Sequence, residues 1–319
     1  MSLLVVKEGL LTTVQDLGRF GYRPFGVNPS GVMDRTAARL LNVLSGNEEN
    51  AAVLEMHFPP GEFIFENDID FAIGGADLSA ELSSETVTQW AYTHAQKGDI
   101  LRFARKQMGH RAYLAVSGGF QVAEWLASSS TSLVTATGGF CGRRLVKGDR
   151  IPINPAAAGS LNSSRIGNSL VPLYSDSPTL RVTRGPEFDM LTGVSEHQLF
   201  TKQFAISPQS DRMGFRLNGP RLYRLSDVEI LSSGTTFGTI QLLPDGQMIV
   251  LMADHQTTGG YPRIATIASV DLPLIAQLGP GNKVSFDVIE TEQAERLVVD
   301  LEKSIAFLRT GLRVRRGRL

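Results

Sequence analysis

Along this chain, short apolar runs alternate with polar loops that carry glycine. Residues 4–11, 52–56, 62–65, 70–73, 100–103 and 111–116 are apolar or alternating runs of strand length bounded by turn residues, and each predicts a strand. The pattern restarts at residues 180–183, 239–243, 248–253 and 264–268. Pro244-Asp245-Gly246 separates two of these runs. Proline presets φ for a turn and glycine accepts a positive φ, so the stretch predicts a hairpin. Met248 to Met252 is apolar without alternation, which predicts a central strand covered on both faces.

Helical spacing appears in fewer places. Met33, Ala37, Leu40, Leu41 and Leu44 share one face, Gly46-Asn47 supplies a stop, and Ser30 or Asp34 supplies a cap. Further helices are predicted at 195–204, 272–278 and 292–308, the last with Ala294, Leu297, Val298, Leu301, Ile305 and Leu308 on one face. Lys97-Gly98-Asp99-Ile100, Lys147-Gly148-Asp149-Arg150 and Pro280-Gly281-Asn282-Lys283 each place a glycine turn before a strand. They read either as matching hairpins of related halves or as independent uses of the same turn chemistry.

The result is a mainly β chain with a few helices, an α+β class. Residues 154–177 have no sustained period and are rich in Ser, Asn, Ala and Gly, so they predict a linker between an N-terminal β-rich domain, 1–153, and a C-terminal domain with a terminal helix, 178–319. With 319 residues, each domain can bury its own core. The 32 glycines and 15 prolines fit a turn-rich β fold. Thirty-one basic and 32 acidic side chains, a net charge of -1, give no general attraction to nucleic acid or an anionic membrane. No apolar run is long enough to span a bilayer, the N-terminus has no signal-peptide pattern, and the single Cys141 excludes an internal disulfide; the expectation is a cytoplasmic protein. The arginines of the tail, Arg313, Arg315, Arg316 and Arg318, read as a solvated end, with contact to an acidic partner as the alternative.

Several chemistries drop out. There is no phosphate-binding or dinucleotide fingerprint, and the five histidines and one cysteine make no metal-spaced cluster. Ala115-Val116-Ser117-Gly118-Gly119 has alanine where a nucleophile elbow needs its first glycine, so it reads as a strand end. Cys141 reads as a packed thiol and the Gly-Gly pairs as tight turns. What remains is a set of loop residues suited to carboxylates and amides. Arg19, Arg212 or Arg216 can grip a carboxylate through a two-pronged guanidinium contact, and Gln241, Gln256, Thr257, Thr258 and Tyr261 can hydrogen-bond an amide or an acyl phosphate. Asp16, Asp34 and Asp254 are either proton carriers or turn and cap residues.

These residues fall in motifs. Thr12-Thr13-Val14-Gln15-Asp16-x-Gly18-Arg19-x-Gly21, Gly26-Val27-x-x-Ser30-Gly31-x-Met33-Asp34, Arg111 to Gly119, Ser210-Asp211-Arg212-Met213-Gly214-x-Arg216-Leu217 and Asp254-x-Gln256-Thr257-Thr258-Gly259-Gly260-Tyr261-Pro262 together resemble the biotin-dependent carboxyltransferase family, whose members include the 5-oxoprolinase C subunit and proteins like allophanate hydrolase subunit 2. The match runs from about residue 4 to 288 in the family's order. It departs from the family at His255, where arginine is common, and at Ser128-Ser129-Ser130-Thr131, where a glycine is lost.

The resemblance implies two cyclophilin-like, β-barrel-type halves and a subunit of an ATP-dependent 5-oxoprolinase that opens the lactam of 5-oxo-L-proline to L-glutamate. It implies the 5-oxoprolinase subunits A and B as partners, the latter in direct contact, ATP held by this chain or a partner, and no activity without partners; a homo-oligomer is also open. It places proton work on Asp254, Asp34 and Asp16. Neither a Met-Lys-Met biotinylation site nor an ATP-grasp segment is recognisable, so covalent biotin on this chain is not expected. Two other readings stay open: a non-catalytic module that binds a kinase-inhibitor-like partner, and a component of a urea-type biotin-dependent carboxyltransferase.

Overall fold

The computed structural model of the protein describes residues 1–156, 164–226 and 228–315. It is mainly β with four α-helices, and it divides into two units. The first comprises Met1–Arg19, Ser30–Leu173 and Glu302–Leu319; the second comprises Phe20–Pro29 and Tyr174–Leu301. Part of the stretch expected as a linker, residues 157–163, and the tail residues Arg316 and Arg318 lie outside the described residues.

The first unit contains β1 (Ser2–Lys7), β2 (Leu11–Gln15), α1 (Arg35–Ser45), β3 (Val53–His57), β4 (Glu62–Phe65), β5 (Ile69–Asp77) and β6 (Ala80–Leu82). It continues with β7 (Glu85–Thr86), β8 (Tyr92–Ala95), β9 (Ile100–Phe103), β10 (Met108–Val116) and β11 (Arg150–Pro152). These strands make two sheets, β11-β1-β4-β9-β6-β7 and β2-β3-β10-β5-β8. Leu3, Phe63 and Leu101 from one sheet and Leu54, Ile73 and Leu114 from the other share a single buried cluster. Helix α1 packs against β5 and β10, so β10 is covered on both faces and reads as an unbroken apolar run from Ala112 to Val116. Asp34 caps α1, its Oδ1 accepting from the Ala37 N–H at 2.8 Å, and Gly46 closes the helix at φ +78°, a cap worth about 1 kcal/mol.

The second unit contains β12 (Thr179–Arg184), α2 (Gly193–Thr201), β13 (Phe204–Ile206), β14 (Gly214–Asn218), β15 (Ser233–Gly234) and β16 (Thr239–Leu242). After these come β17 (Met248–Leu251), β18 (Thr258–Gly259), β19 (Arg263–Ile267), α3 (Leu272–Ala276) and β20 (Lys283–Val288). Seven strands close a barrel in the order β12-β19-β16-β17-β14-β13-β20, and a parallel β12–β20 pair completes it. The predicted 239–253 hairpin is present as β16–β17, with β17 in the interior of the barrel sheet. Helix α4 (Thr291–Arg315) begins in this unit and belongs to the first from Glu302 onward. Among the described residues no helix is long and apolar enough to cross a membrane.

Four local expectations change. The 4–11 run is two strands, because the chain turns at Gly9, where a Cβ would lie 2.6 Å from the Gly61 nitrogen. Thr12 to Gln15, which lie beyond the predicted 4–11 strand, belong to strand β2, with the polar Thr12, Thr13 and Gln15 buried. The 195–204 helix ends at Thr201, and Phe204 opens β13. Cys141, expected to pack, is exposed, in a loop where Gly138, Gly139, Cys141 and Gly142 all take positive φ.

Candidate functional site

The barrel's pairing register builds the site. Arg216 on β14 lies opposite Ile249 on β17, and Ile249 lies opposite Gln241 on β16. Side chains alternate across a strand, so Phe215, Leu217, Val250 and Ile240 are buried while the Arg216-Ile249-Gln241 row faces the other way. That row is the wall of a groove of about 430 Å³, in the range of small-ligand sites. Met213, Leu243, Ile249 and Leu251 supply its apolar surface. Arg216, Gln241, Gln256, Tyr261 and Asp245 supply its polar groups. The Gln241 Nε2 donates to the Tyr261 carbonyl at 3.3 Å, which fixes the amide while Gln256 and Tyr261 stay exposed. A Cβ at Gly259 would stand 2.7 Å from the Gln241 Nε2 and 2.8 Å from the Gln256 Nε2, so glycine is what lets the loop backbone approach both amides.

The loop that carries Gln256 and Tyr261 is tied down on every side. Both oxygens of Asp254 accept from Arg212, at 2.8 Å from Nε and 3.1 Å from Nη2, and both side chains are buried. Backbone bonds from Asp254 N to Arg212 O and from Met252 N to Met213 O run beside this pair. The Asn28 Nδ2 donates to the Asp254 carbonyl at 3.1 Å. Buried His255 faces the Met252 carbonyl with Nδ1 at 2.8 Å, so that nitrogen carries the proton. Thr235 donates from Oγ1 to the Gln256 carbonyl and from N to the Thr257 carbonyl, and Thr258 pairs with Gly234 in the β15–β18 ribbon. At the far end, Glu187 grips Arg263 through its backbone N, Nε and Nη2 at 2.7–2.9 Å. Those hydrogen bonds hold the Glu187 carboxyl below the usual carboxylate range and raise the Arg263 guanidinium.

The sequence-predicted residues therefore separate into three groups. Arg216, Gln241, Gln256 and Tyr261 line one groove. Arg212, Asp254, Thr257 and Thr258 do not line it and belong to the loop's framework. Asp16, Arg19 and Asp34 belong to the first unit. There the Asp16 carboxylate accepts from Gly18 N, Ser128 Oγ, Ser129 N and Ser130 Oγ at 2.5–2.8 Å. The Arg19 guanidinium donates to the Ser130 carbonyl and lies 4.9 Å from the Trp125 ring centroid.

Sequence reasoning missed two features. One is Asp245, read only as a turn residue: its Oδ1 accepts from the Gln247 N–H at 3.0 Å and its carboxylate borders the groove. The other is a buried network beside Asp34. The Glu55 Oε2 accepts from Met33 N at 2.7 Å and from the Tyr113 hydroxyl at 2.9 Å, and that hydroxyl accepts from Asp34 N at 2.9 Å. Burial, followed by the Glu55 and Asp34 charges, pushes the Tyr113 phenol well above its ordinary range. The second feature joins Met33 and Asp34 to Glu55 and Tyr113, which lie far apart in the chain, and no local pattern announces it.

Comparison with known proteins agrees with the motifs. The family model described as carboxyltransferase domain, subdomain A and B, matches residues 25–288. The C subunit of the Escherichia coli K12 5-oxoprolinase is 38% identical over 302 residues, covering 94% of this chain and 96% of that protein. Its namesake from Haemophilus influenzae is 36% identical over 286 residues, covering 89% and 90%. The crystal structure of the K. lactis urea amidolyase superposes with a TM-score of 0.91 at 28% identity, over 96% of this chain and 20% of that one, so this chain spans about a fifth of that protein. The chain belongs to the carboxyltransferase domain, subdomain A and B, family.

Proposed function

We propose that this chain is one component of an ATP-dependent 5-oxoprolinase complex and that the barrel groove holds 5-oxo-L-proline. The observation that carries this reading is the groove's pairing of one guanidinium with two primary amides on an apolar wall. 5-Oxo-L-proline offers the complement: a carboxylate for Arg216, a ring amide for Gln241 and Gln256, and methylenes for Ile249 and Leu251. Similarity to the 5-oxoprolinase C subunit along nearly the full length of both chains supports the choice.

In the reaction, water's oxygen bonds to the lactam carbonyl carbon, the ring C–N bond breaks and the nitrogen takes up a proton. Asp245 is the carboxylate on the groove able to take the water's proton. Asp254, engaged through both oxygens by Arg212, positions the loop. For a triphosphate the groove offers a single guanidinium beside a carboxylate, a poor fit, so we assign ATP to a partner subunit. The superposition on urea amidolyase favours a second reading, carboxyl transfer to urea; urea has no carboxylate for Arg216 to hold.

The test is reconstitution of the complex with and without this chain. Release of ADP and inorganic phosphate from ATP, and of glutamate from 5-oxoproline, is expected only when the chain is present. Equal turnover without it, or turnover of urea and not of 5-oxoproline, would sink the reading.

A further inference from the structure

A second groove, in the first unit, has no part in that chemistry. It runs between the C-terminal half of α4 and residues 165–170, with a volume of about 710 Å³. Leu170, Phe307 and Leu308 give it an apolar lining, and Phe307 is 83% exposed. Arg165, Lys303 and Arg315 add three cations, and no Asp or Glu is among the lining residues. Gly311 also lines it, in the interior of a 25-residue helix where glycine is much less favourable than alanine. A Cβ at Gly311 would meet nothing within 4 Å, so packing among the described residues gives no reason for a glycine there. What the glycine does provide is a helix backbone open to close approach from outside.

We propose that this groove docks an acidic amphipathic segment of a partner subunit. Its apolar side chains seat on Leu170, Phe307 and Leu308, and its carboxylates meet Arg165, Lys303 and Arg315, an anchor-in-groove mode with a complementary rim. The proposal rests on the reading of this chain as one component of a larger enzyme. A second copy of the chain is a poor occupant, because a twofold contact would set the three cations against themselves.

Calorimetric titration of the full chain with the purified partner subunits tests this, using wild type, Gly311→Leu, Phe307→Asp and Arg315→Glu. Gly311→Leu fills the groove while favouring the helix, so lost binding with an unchanged or raised Tm cannot come from unfolding. Gly311→Leu and Phe307→Asp are expected to weaken binding at least about 30-fold, and Arg315→Glu to weaken it most at low salt. Wild-type affinity in the first two variants would overturn the groove assignment and leave the proposed function intact. No complex with the wild-type chain would overturn the proposed function, and the docking proposal with it. Phosphatidylserine vesicle binding lost in Phe307→Asp, or self-association lost in Gly311→Leu, would give the groove to a different occupant and also overturn the proposal.

Discussion

Arg212 and Asp254 look in the sequence like a substrate clamp and a proton carrier, yet each faces the other. A side-on guanidinium–carboxylate contact of this kind, with both groups buried, is strong because two charge-assisted hydrogen bonds form at once. Its removal is asymmetric. Arg212→Ala takes two hydrogen bonds and a neutralising charge from a carboxylate that stays buried, and is expected to cost about 3–5 kcal/mol. Replacing both groups, Arg212→Met with Asp254→Leu, is expected to recover more than half of that loss. A denaturant-unfolding double-mutant cycle checks it; additive losses would mean that the two side chains do not act as a pair. Asp245 is the contrasting case, an exposed carboxylate held at one oxygen by its own turn.

At the scale of elements, the loop from Asp254 to Pro262 is stretched between two clamps, Arg212–Asp254 at its start and Glu187–Arg263 just past its end. The second clamp has a pH signature. The folded-state pKa of Glu187 is depressed, chiefly by the Arg263 hydrogen bonds, so its contribution is present above the unfolded value of about 4.3 and disappears as pH falls through the folded value. Glu187→Gln should therefore be less stable than wild type by about 1.5–3 kcal/mol at neutral pH, with the gap closing as pH falls below the unfolded value. A gap that stays constant across that range in urea titrations would contradict the assignment.

Elements whose cause is local were legible in the sequence. The β16–β17 hairpin follows from Pro244-Asp245-Gly246, α1 from its spacing and the Asp34 cap, and α4 from its apolar stripe. Elements whose cause is distant were not. Gly9 turns the chain against Gly61, and Thr12 to Gln15 are buried in β2, where Gln15 donates to the Thr131 carbonyl at 3.1 Å. Polar strand residues of this sort carry no alternation, since hydrogen bonds from another segment take the place of water. The groove was half legible: its polar residues stood out by type, while the neighbourhood of Arg216, Asp245 and Gln241 depends on barrel register.

For the whole molecule, fold and function part company. The same architecture serves proteins named as the C subunit of 5-oxoprolinase and forms about a fifth of a urea amidolyase, so the family alone does not choose the reaction. On the proposed reading the choice falls to the groove, where Arg216 would hold the carboxylate that 5-oxoproline has and urea lacks. The most direct measurement is the steady-state kinetics of Arg216→Ala in the reconstituted complex. Loss of a charge-assisted contact to the substrate carboxylate predicts a KM for 5-oxoproline raised roughly 10- to 100-fold, with complex assembly unchanged. A wild-type KM and kcat in that variant would contradict the placement of the lactam in the barrel groove.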